Sequence, residues 1–331
     1  MIAAPTQQDR AAWKDTRIGR FTASKFGALM KEPQSFDAEA FAHLVPREEG
    51  YTVLKSGPRK GEEVRVKNFN ALAREAARKA GKMPFSAEGT GYIFAKAIER
   101  LTGVPMDDAG STPVMRRGLL LEPAAMHILS TAWKPCEACT WQAYGDNLGS
   151  TPDALVEAGH ATMDLKCPGN PADVVRFADE VVDGDFDTLL AWDSTYAWQV
   201  MVQALTCGCD TAHLVYFTDR LPINRLTDEQ LQEAQTLIDL RAEQYSQESI
   251  YPWSYTYGSD GYYFAARSFR LTDDIKERIL SALERAEAEC QAVMLRCGKL
   301  LVPTPEDVDA TAPGVIDAGI TEPIDPLNTN A

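Results

Sequence analysis

Ser150-Thr151-Pro152-Asp153-Ala154-Leu155-Val156-Glu157-Ala158-Gly159-His160-Ala161-Thr162-Met163-Asp164-Leu165-Lys166-Cys167-Pro168 reads as a β-hairpin. With Ala158-Gly159 as a two-residue loop, Glu157 pairs with His160, and counting back sets Asp153 opposite Asp164. Facing residues of an antiparallel pair have Cβ atoms roughly 5 Å apart. Asp164 and Lys166 are two apart on a strand and share one face, while Met163, Leu165 and Cys167 take the other. Two carboxylates and one ammonium therefore gather beside an apolar sheet face. Such a group suits a divalent metal and an activated water. A solvated salt-bridge face, worth about 0–1 kcal/mol, has the same residues, so the rest of the chain must decide.

The 331 residues, 45% of them hydrophobic and 24% charged, can bury a large core and fit one domain with additions, or at most two. Met1 to Asp15 is polar and mixed, so no leader is expected there, and no run approaches the ~20 apolar residues a membrane helix needs. Seven cysteines, an odd number in a long chain, point to reduced thiols and a cytoplasmic location instead of a disulfide framework. A net charge of −15 argues against nucleic acid as a partner for the chain as a whole. The charge is uneven, however. Lys55 to Lys82 holds nine basic residues against three acids, whereas Leu301 to Ala331 holds six acids and no Lys or Arg. A local basic stripe can hold phosphates while the remainder repels them.

Trp13 to Met30 reads as a turn and a helix, with Thr22 or Ser24 as N-cap. Residues 31–88 look like a basic insertion carrying a helix at about 66–80. Tyr92 to Leu101 has helical period, with Ile93, Phe94, Ala97, Ile98 and Leu101 on one face. The helix carrying Glu122 and His127 is expected to begin near or bend at Pro123. Strands are expected at 140–144, 151–157, 161–167 and 212–217, with a short one near Ile223, and helices at 195–206, 228–246 and 271–300. The aromatic stretch 248–270 suggests a hairpin packed in the core. The tail from Val302 is expected to be disordered. This gives a domain at 1–247, an aromatic segment and long helix at 248–300, and an acidic tail at 301–331.

Three further segments accompany the hairpin in order. They are Trp13-Lys14-Asp15-Thr16-Arg17-Ile18-Gly19-Arg20-Phe21-Thr22-Ala23-Ser24, then Arg117-Gly118-Leu119-Leu120-Leu121-Glu122-Pro123, and after the hairpin Tyr196-Ala197-Trp198-Gln199-Val200-Met201-Val202-Gln203. With its Asp-x-Lys-Cys-Pro strand, the chain resembles the YqaJ-type viral recombinase nucleases, the lambda-type exonucleases of the PD-(D/E)xK superfamily. The resemblance covers about 13–30 and 90–245.

The resemblance implies an α/β (α+β) PD-(D/E)xK core, a central mixed sheet flanked by helices, here with a helical C-terminal extension. It implies a metal-dependent exonuclease that degrades one strand of duplex DNA from a 5′ end and leaves a 3′ overhang for a single-strand annealing protein. Carried over by position, Glu122, Asp153 and Asp164 would hold two Mg²⁺ ions, or Mn²⁺ in their place, with the Leu165 carbonyl as a further ligand. Lys166 would orient or deprotonate the attacking water, its pKa lowered by the nearby cations. Arg17, Ser24, Thr151 and Gln199 would grip the 5′ phosphate of a double-stranded DNA end. Tyr196, Gln199 and Gln203 share one helix face, from which the glutamines would reach phosphate or sugar. Members of this group form trimeric rings, which implies a homo-oligomer here.

The chain departs from that pattern in three ways. Asp164 is a methylene shorter than the usual Glu, Thr151 stands where serine is usual, and 31–88 and everything after about 248 lie outside the resemblance. Cys136-x-x-Cys139 and Cys207-x-Cys209 lack a standard four-ligand zinc spacing. No P-loop or G-x-S-x-G is present. The alternatives are a RecB-like or restriction-type nuclease of other polarity, and an inactive DNA-end-binding module; an intact Asp153, Asp164 and Lys166 speaks against the last.

Overall fold

In the computed structural model, which describes residues 15–106, 112–245 and 261–301, helical residues 15–17 and a turn lead into β1 (Phe21–Thr22) and α1 (Ala23–Met30). A small lobe follows, with a short helix α2 (Arg47–Gly50), the hairpin β2 (Tyr51–Val53) and β3 (Glu63–Arg65), and α3 (Phe69–Lys79). Then come α4 (Ala87–Thr102), α5 (Pro113–Ala132), β4 (Cys136–Ala138), β5 (Gln142–Tyr144), β6 (Leu148–Ser150), β7 (Ala154–Val156) and β8 (Ala161–Lys166). Three helices, α6 (Ala172–Glu180), α7 (Phe186–Trp192) and α8 (Ser194–Cys207), lead to β9 (Thr211–Thr218). The last elements are α9 (Asp228–Tyr245), β10 (Tyr263–Arg270) and α10 (Asp273–Leu301).

The central sheet has the order β10-β9-β8-β7-β4, with β8 and β9 parallel and the other neighbours antiparallel. Alternation along its strands sorts two cores. Ala161, Met163 and Leu165 of β8 and Val215 and Phe217 of β9 pack with α5 and α9. Ala212, Leu214 and Tyr216 of β9 face the larger core, built with α1, α4, α6, α8 and α10. Thr162 and Asp164, the polar residues of β8, belong to that second face and are buried in it. A mixed sheet covered by helices on both sides is the expected α/β class.

Several expectations change. Of the strand expected at 151–157 only β7 forms; β6, just before it, joins β1 and β5, β7 joins the central sheet, and Thr151-Pro152-Asp153 makes the crossing between the two sheets. Proline has no N–H for a ladder, so the break falls there. Pro123 neither starts nor ends a helix; α5 starts at Pro113, with the Thr112 side chain accepting from Met115 N–H, and runs through. The missing N–H at Pro123 leaves the Leu119 carbonyl without its usual donor. The buried face of α4 is Tyr92, Ile93, Lys96, Ala97 and Glu99, while Phe94 is 42% exposed. Charged residues displaced the apolar stripe inferred from period alone. Helices α6 and α7 were not anticipated, although Asp185-x-x-Thr188 forms a capping box at the start of α7.

The 31–88 lobe has its own small core of Ala38, Val45, Phe69 and Ala73. Its arginines are largely spent on local acids: Arg47 on Glu63, Arg65 on Glu39, Arg74 on Glu32, and Arg78 on Glu32 and Glu75. The arginines of the basic stripe are therefore paired in place, Arg59 with Glu62 among them. The 248–300 segment, set apart in the sequence reading, supplies β10, paired along its whole length with β9, and α10, whose Ile275, Ile279, Ala282, Ala286, Cys290 and Val293 enter the larger core. The short strand near Ile223 is a single bridge, Asn224 to Tyr262. Tyr251, Trp253, Tyr255, Tyr257 and the acidic tail lie outside the described residues. Among the described residues, no helix is long and apolar enough to cross a membrane.

His213 of β9 is buried against the Trp133 ring, with Nδ1 2.7 Å from Ser268 Oγ. Burial, helped by Lys134 and opposed by Glu157, pulls its pKa down to about 4 from 6.5. The unfolded chain binds this proton below pH 6.5 and the folded one only below about 4, so stability should fall as pH drops through that window. Urea midpoints of wild type and His213→Gln between pH 7 and 4 should diverge, the variant losing less; parallel curves would contradict the assignment.

Candidate active site

The hairpin register is the expected one, although the loop is longer. Pairing runs Ala154↔Met163, Leu155↔Thr162 and Val156↔Ala161, and residues 157–160 make the turn. Glu157, Ala158 and Gly159 all take positive φ, at 57°, 56° and 85°, so two non-glycine residues sit in the left-handed region. Continuing the register puts Asp153 opposite Asp164, and Asp153 N–H donates to the Met163 carbonyl at 3.1 Å.

Asp164 is 2% exposed. Its Oδ1 accepts from Gln199 Nε2 at 2.7 Å and from Gln203 Nε2 at 2.8 Å, both on α8. Its Oδ2 lies 2.7 Å from Lys166 Nζ. Asp153, just after the sheet crossing, turns Oδ2 onto the Leu165 N–H at 2.6 Å. Burial pushes its pKa well above the ordinary carboxylate value, and repulsion from Asp164 and Glu122 adds to that against Lys166 and the Leu165 N–H. Glu122, from the middle of α5, is raised for the same reasons, burial first and Asp164 after it, with Arg241 and Lys166 opposing. Four charged groups from α5, β7–β8 and their flanks thus interact in one place.

Lys166 differs from expectation. Burial pulls its pKa down, but Asp164 and Asp153 outweigh burial and hold it above the usual lysine value. The expected lowering assumed cations; with bare carboxylates as neighbours, the ammonium is the neutralising charge. Its Nζ lies 4.6 Å from the centre of the Tyr196 ring.

The glutamines also depart from the expectation that they face phosphate. Both amides are turned inward onto Asp164, and Gln203 Oε1 is buried without a hydrogen-bond partner. Leu165 buries its side chain in the α5–α9 core and gives its N–H to Asp153. Arg17 is half-buried at the end of the helical residues 15–17, just before the turn that leads to β1, and Thr151 is half-buried at the sheet crossing. Ser24 is exposed in the first turn of α1, its Oγ 3.5 Å from Thr22 Oγ1. It lines a cavity of about 300 Å³ with Lys25, Ala28, Glu88, Gly91, Tyr92 and Thr195. Thr195 precedes Tyr196, so the start of α8 links that cavity to Lys166.

Residues not singled out beforehand support the cluster. Arg117, one turn before Glu122 on α5, pairs with Asp219 and donates to the Pro168 carbonyl at 3.0 Å. Arg220 donates to the Gly169 carbonyl at 3.3 Å. Together they fix the chain leaving Lys166. Arg117 lies inside the quoted Arg117–Pro123 segment, but only the fold could reveal what it meets.

Three carboxylates at close quarters, two of them made prone to protonation by burial first and by repulsion after it, have the donor chemistry of a hard divalent cation site. As arranged, the set does not close: among the described residues, no group of three or more His, Cys, Asp or Glu is placed to hold a metal ion. Both Asp164 oxygens are already engaged by the two amides and Lys166.

Gln203→Glu would set a second carboxylate against Asp164 in a buried site. It should cost about 2–4 kcal/mol at pH 7.5 and recover as pH falls and the new group protonates. Chemical unfolding at pH 7.5 and 5 reads this; equal stability to wild type at both would show that the amide does not face Asp164.

No family model matches the chain, and no curated protein matches it. Solved structures do. The chain is similar to an alkaline exonuclease (LHK-Exo) of Laribacter hongkongensis, 16% identical over 88% of this chain and 99% of that one, with a TM-score of 0.46. It is similar to the same enzyme in complex with dAMP, 17% identical over the same shares, also at 0.46. A phage-related exonuclease of Haemophilus somnus 129PT is 14% identical over 84% of this chain and 96% of that one, with a TM-score of 0.50. The chain has the fold of that phage-related exonuclease, in keeping with the YqaJ-type resemblance of its sequence.

Proposed function

We propose that this protein is a metal-dependent exodeoxyribonuclease that removes one strand of linear duplex DNA from a 5′ end and leaves a 3′ overhang. The observation that carries the reading is the Glu122, Asp153, Asp164 and Lys166 cluster at the ends of β7 and β8. The exonuclease fold is consistent with it.

In this reading Glu122, Asp153, Asp164 and the Leu165 carbonyl are the oxygen donors. Mg²⁺, as two ions or with Mn²⁺ substituting, would supply charge neutralisation at phosphorus and acidify a bound water. Lys166, an ammonium between Asp164 and the Tyr196 ring, would orient the attacking water once the carboxylates are neutralised, or, after giving its own proton to solvent, would take the proton of that water. Gln199 and Gln203 are assigned to Asp164 instead of to DNA: two amides fix a side chain that is one methylene short. Arg17, Ser24 and Thr151 are assigned to the 5′ phosphate, Arg17 through its planar fork. The reading implies a single-strand annealing partner for the overhang, a ring-shaped homo-oligomer around the duplex, and action in the cytoplasm of a bacterial host in phage-type recombination.

Duplexes labelled at the 5′ or the 3′ end separate the polarities. With Mg²⁺, 5′ label should appear as short products at once while 3′ label stays in long strands; the reverse order would contradict the polarity. Ca²⁺ should support binding without cleavage. Lys166→Ala should lose roughly 10²–10⁴-fold in rate while keeping DNA affinity; normal digestion by that variant would remove the mechanism.

A further inference from the structure

We infer that one face of α4 is a positioning rack for the segment joining Arg17 to Ser24, and that the C-terminal helix α10 braces it. The inference rests on the reading that Arg17 and Ser24 meet the 5′ phosphate.

Tyr92, Lys96, Glu99 and Arg100 stand at i, i+4, i+7 and i+8, so they share a face of α4. Every one of them except Lys96 grips main chain between Arg17 and Ser24. Glu99 Oε2 accepts from Gly19 N–H at 2.8 Å, and Arg100 Nε donates to the Gly19 carbonyl at 2.7 Å, so this one residue is held from both sides. Tyr92 Oη accepts from Thr22 N–H at 2.7 Å and lies 3.1 Å from Thr22 Oγ1. Gly19 has φ of +70°, and a Cβ there would fall 2.5 Å from Arg100 Cγ, so only glycine lets α4 approach this closely. Arg17 lies two residues before the first grip and Ser24 two residues after the last.

Lys96 and Glu99 are each 1% exposed, with Nζ to Oε2 at 2.8 Å. Such a pair is poor value as a stabiliser, because apolar residues of the same volume often do as well or better. What this pair does is aim a carboxylate. Glu99 Oε1 also accepts from Met106 N–H at 3.0 Å, so one buried carboxylate orients both the Arg17 turn and the chain leaving α4. Arg100 completes the brace. Its Nη1 and Nη2 meet the two Glu287 oxygens on α10 at 2.6 and 2.8 Å, and Nη2 reaches Asn147 Oδ1 at 3.3 Å. Glu287 lies outside the sequence resemblance, which ends at about 245, and through Arg100 it ties α10 to the turn that follows Arg17.

Positioning of this kind should act on end selection, not on hydrolysis in general. The test compares kcat/KM on duplexes with 5′-phosphate and 5′-hydroxyl ends for wild type, Arg17→Ala, Arg100→Ala, Glu287→Ala and the Arg17→Ala/Arg100→Ala pair, each checked for a wild-type circular-dichroism spectrum. Arg100→Ala should lower the phosphate-to-hydroxyl ratio about tenfold, and Glu287→Ala, which spares the Gly19 contacts and folds more safely, about threefold, both with the 5′-hydroxyl rate nearly unchanged. The double variant should fall no lower than Arg17→Ala alone. Folded Arg100→Ala and Glu287→Ala with an unchanged ratio, or equal losses on both ends, would overturn the inference while leaving Arg17 in place. A wild type indifferent to the 5′ phosphate would instead remove the Arg17 assignment, and the positioning role with it.

Discussion

Like charges buried within reach of one another are the constraint on which the rest of this molecule depends. The antiparallel register of β7 and β8 sets Asp153 against Asp164, and α5 adds Glu122. Left alone, such a group would protonate or push the strands apart. Lys166 and the two α8 amides hold it together, with Arg241 as a further opposing charge at Glu122. Strand, crossover helix and flanking helix are each needed to assemble this balance, so the site is a property of the whole α/β layer.

Much of this was legible in the sequence because it follows from period and turn chemistry. Counting back from Ala158-Gly159 gave the facing aspartates, and the two-residue spacing of Asp164 and Lys166 put them on the same side of β8. The helices at 194–207 and 228–245 and the strand at 211–218 were visible as runs with clear boundaries. Pro152 also carried information that was underused: a proline inside an apparent strand marks a break, and here the chain changes sheets there.

What could not be read depends on tertiary contact. The inward turn of Gln199 and Gln203 onto Asp164 needs the packing of α8 on β8, which no local pattern encodes. On α4, helical period was right but the face was rotated, because Lys96 and Glu99 satisfy one another and so can replace apolar residues in the interior. The nine basic residues of 55–82 suggested a phosphate stripe, yet acids near them in space, including Glu32 and Glu39 from outside that window, take up most of the arginines. Likewise β10 and α10 carried no recognisable motif, although one completes the edge of the central sheet and the other fills the larger core.

The central claim is that the acidic group at the ends of β7 and β8 binds a catalytic divalent ion. Mn²⁺ binding followed by electron paramagnetic resonance addresses it directly, with wild type compared against Asp153→Asn. The account predicts bound Mn²⁺ that Mg²⁺ displaces in the wild type, and affinity weakened by at least an order of magnitude in the variant. Equal Mn²⁺ binding by both proteins, or none by either, would contradict it.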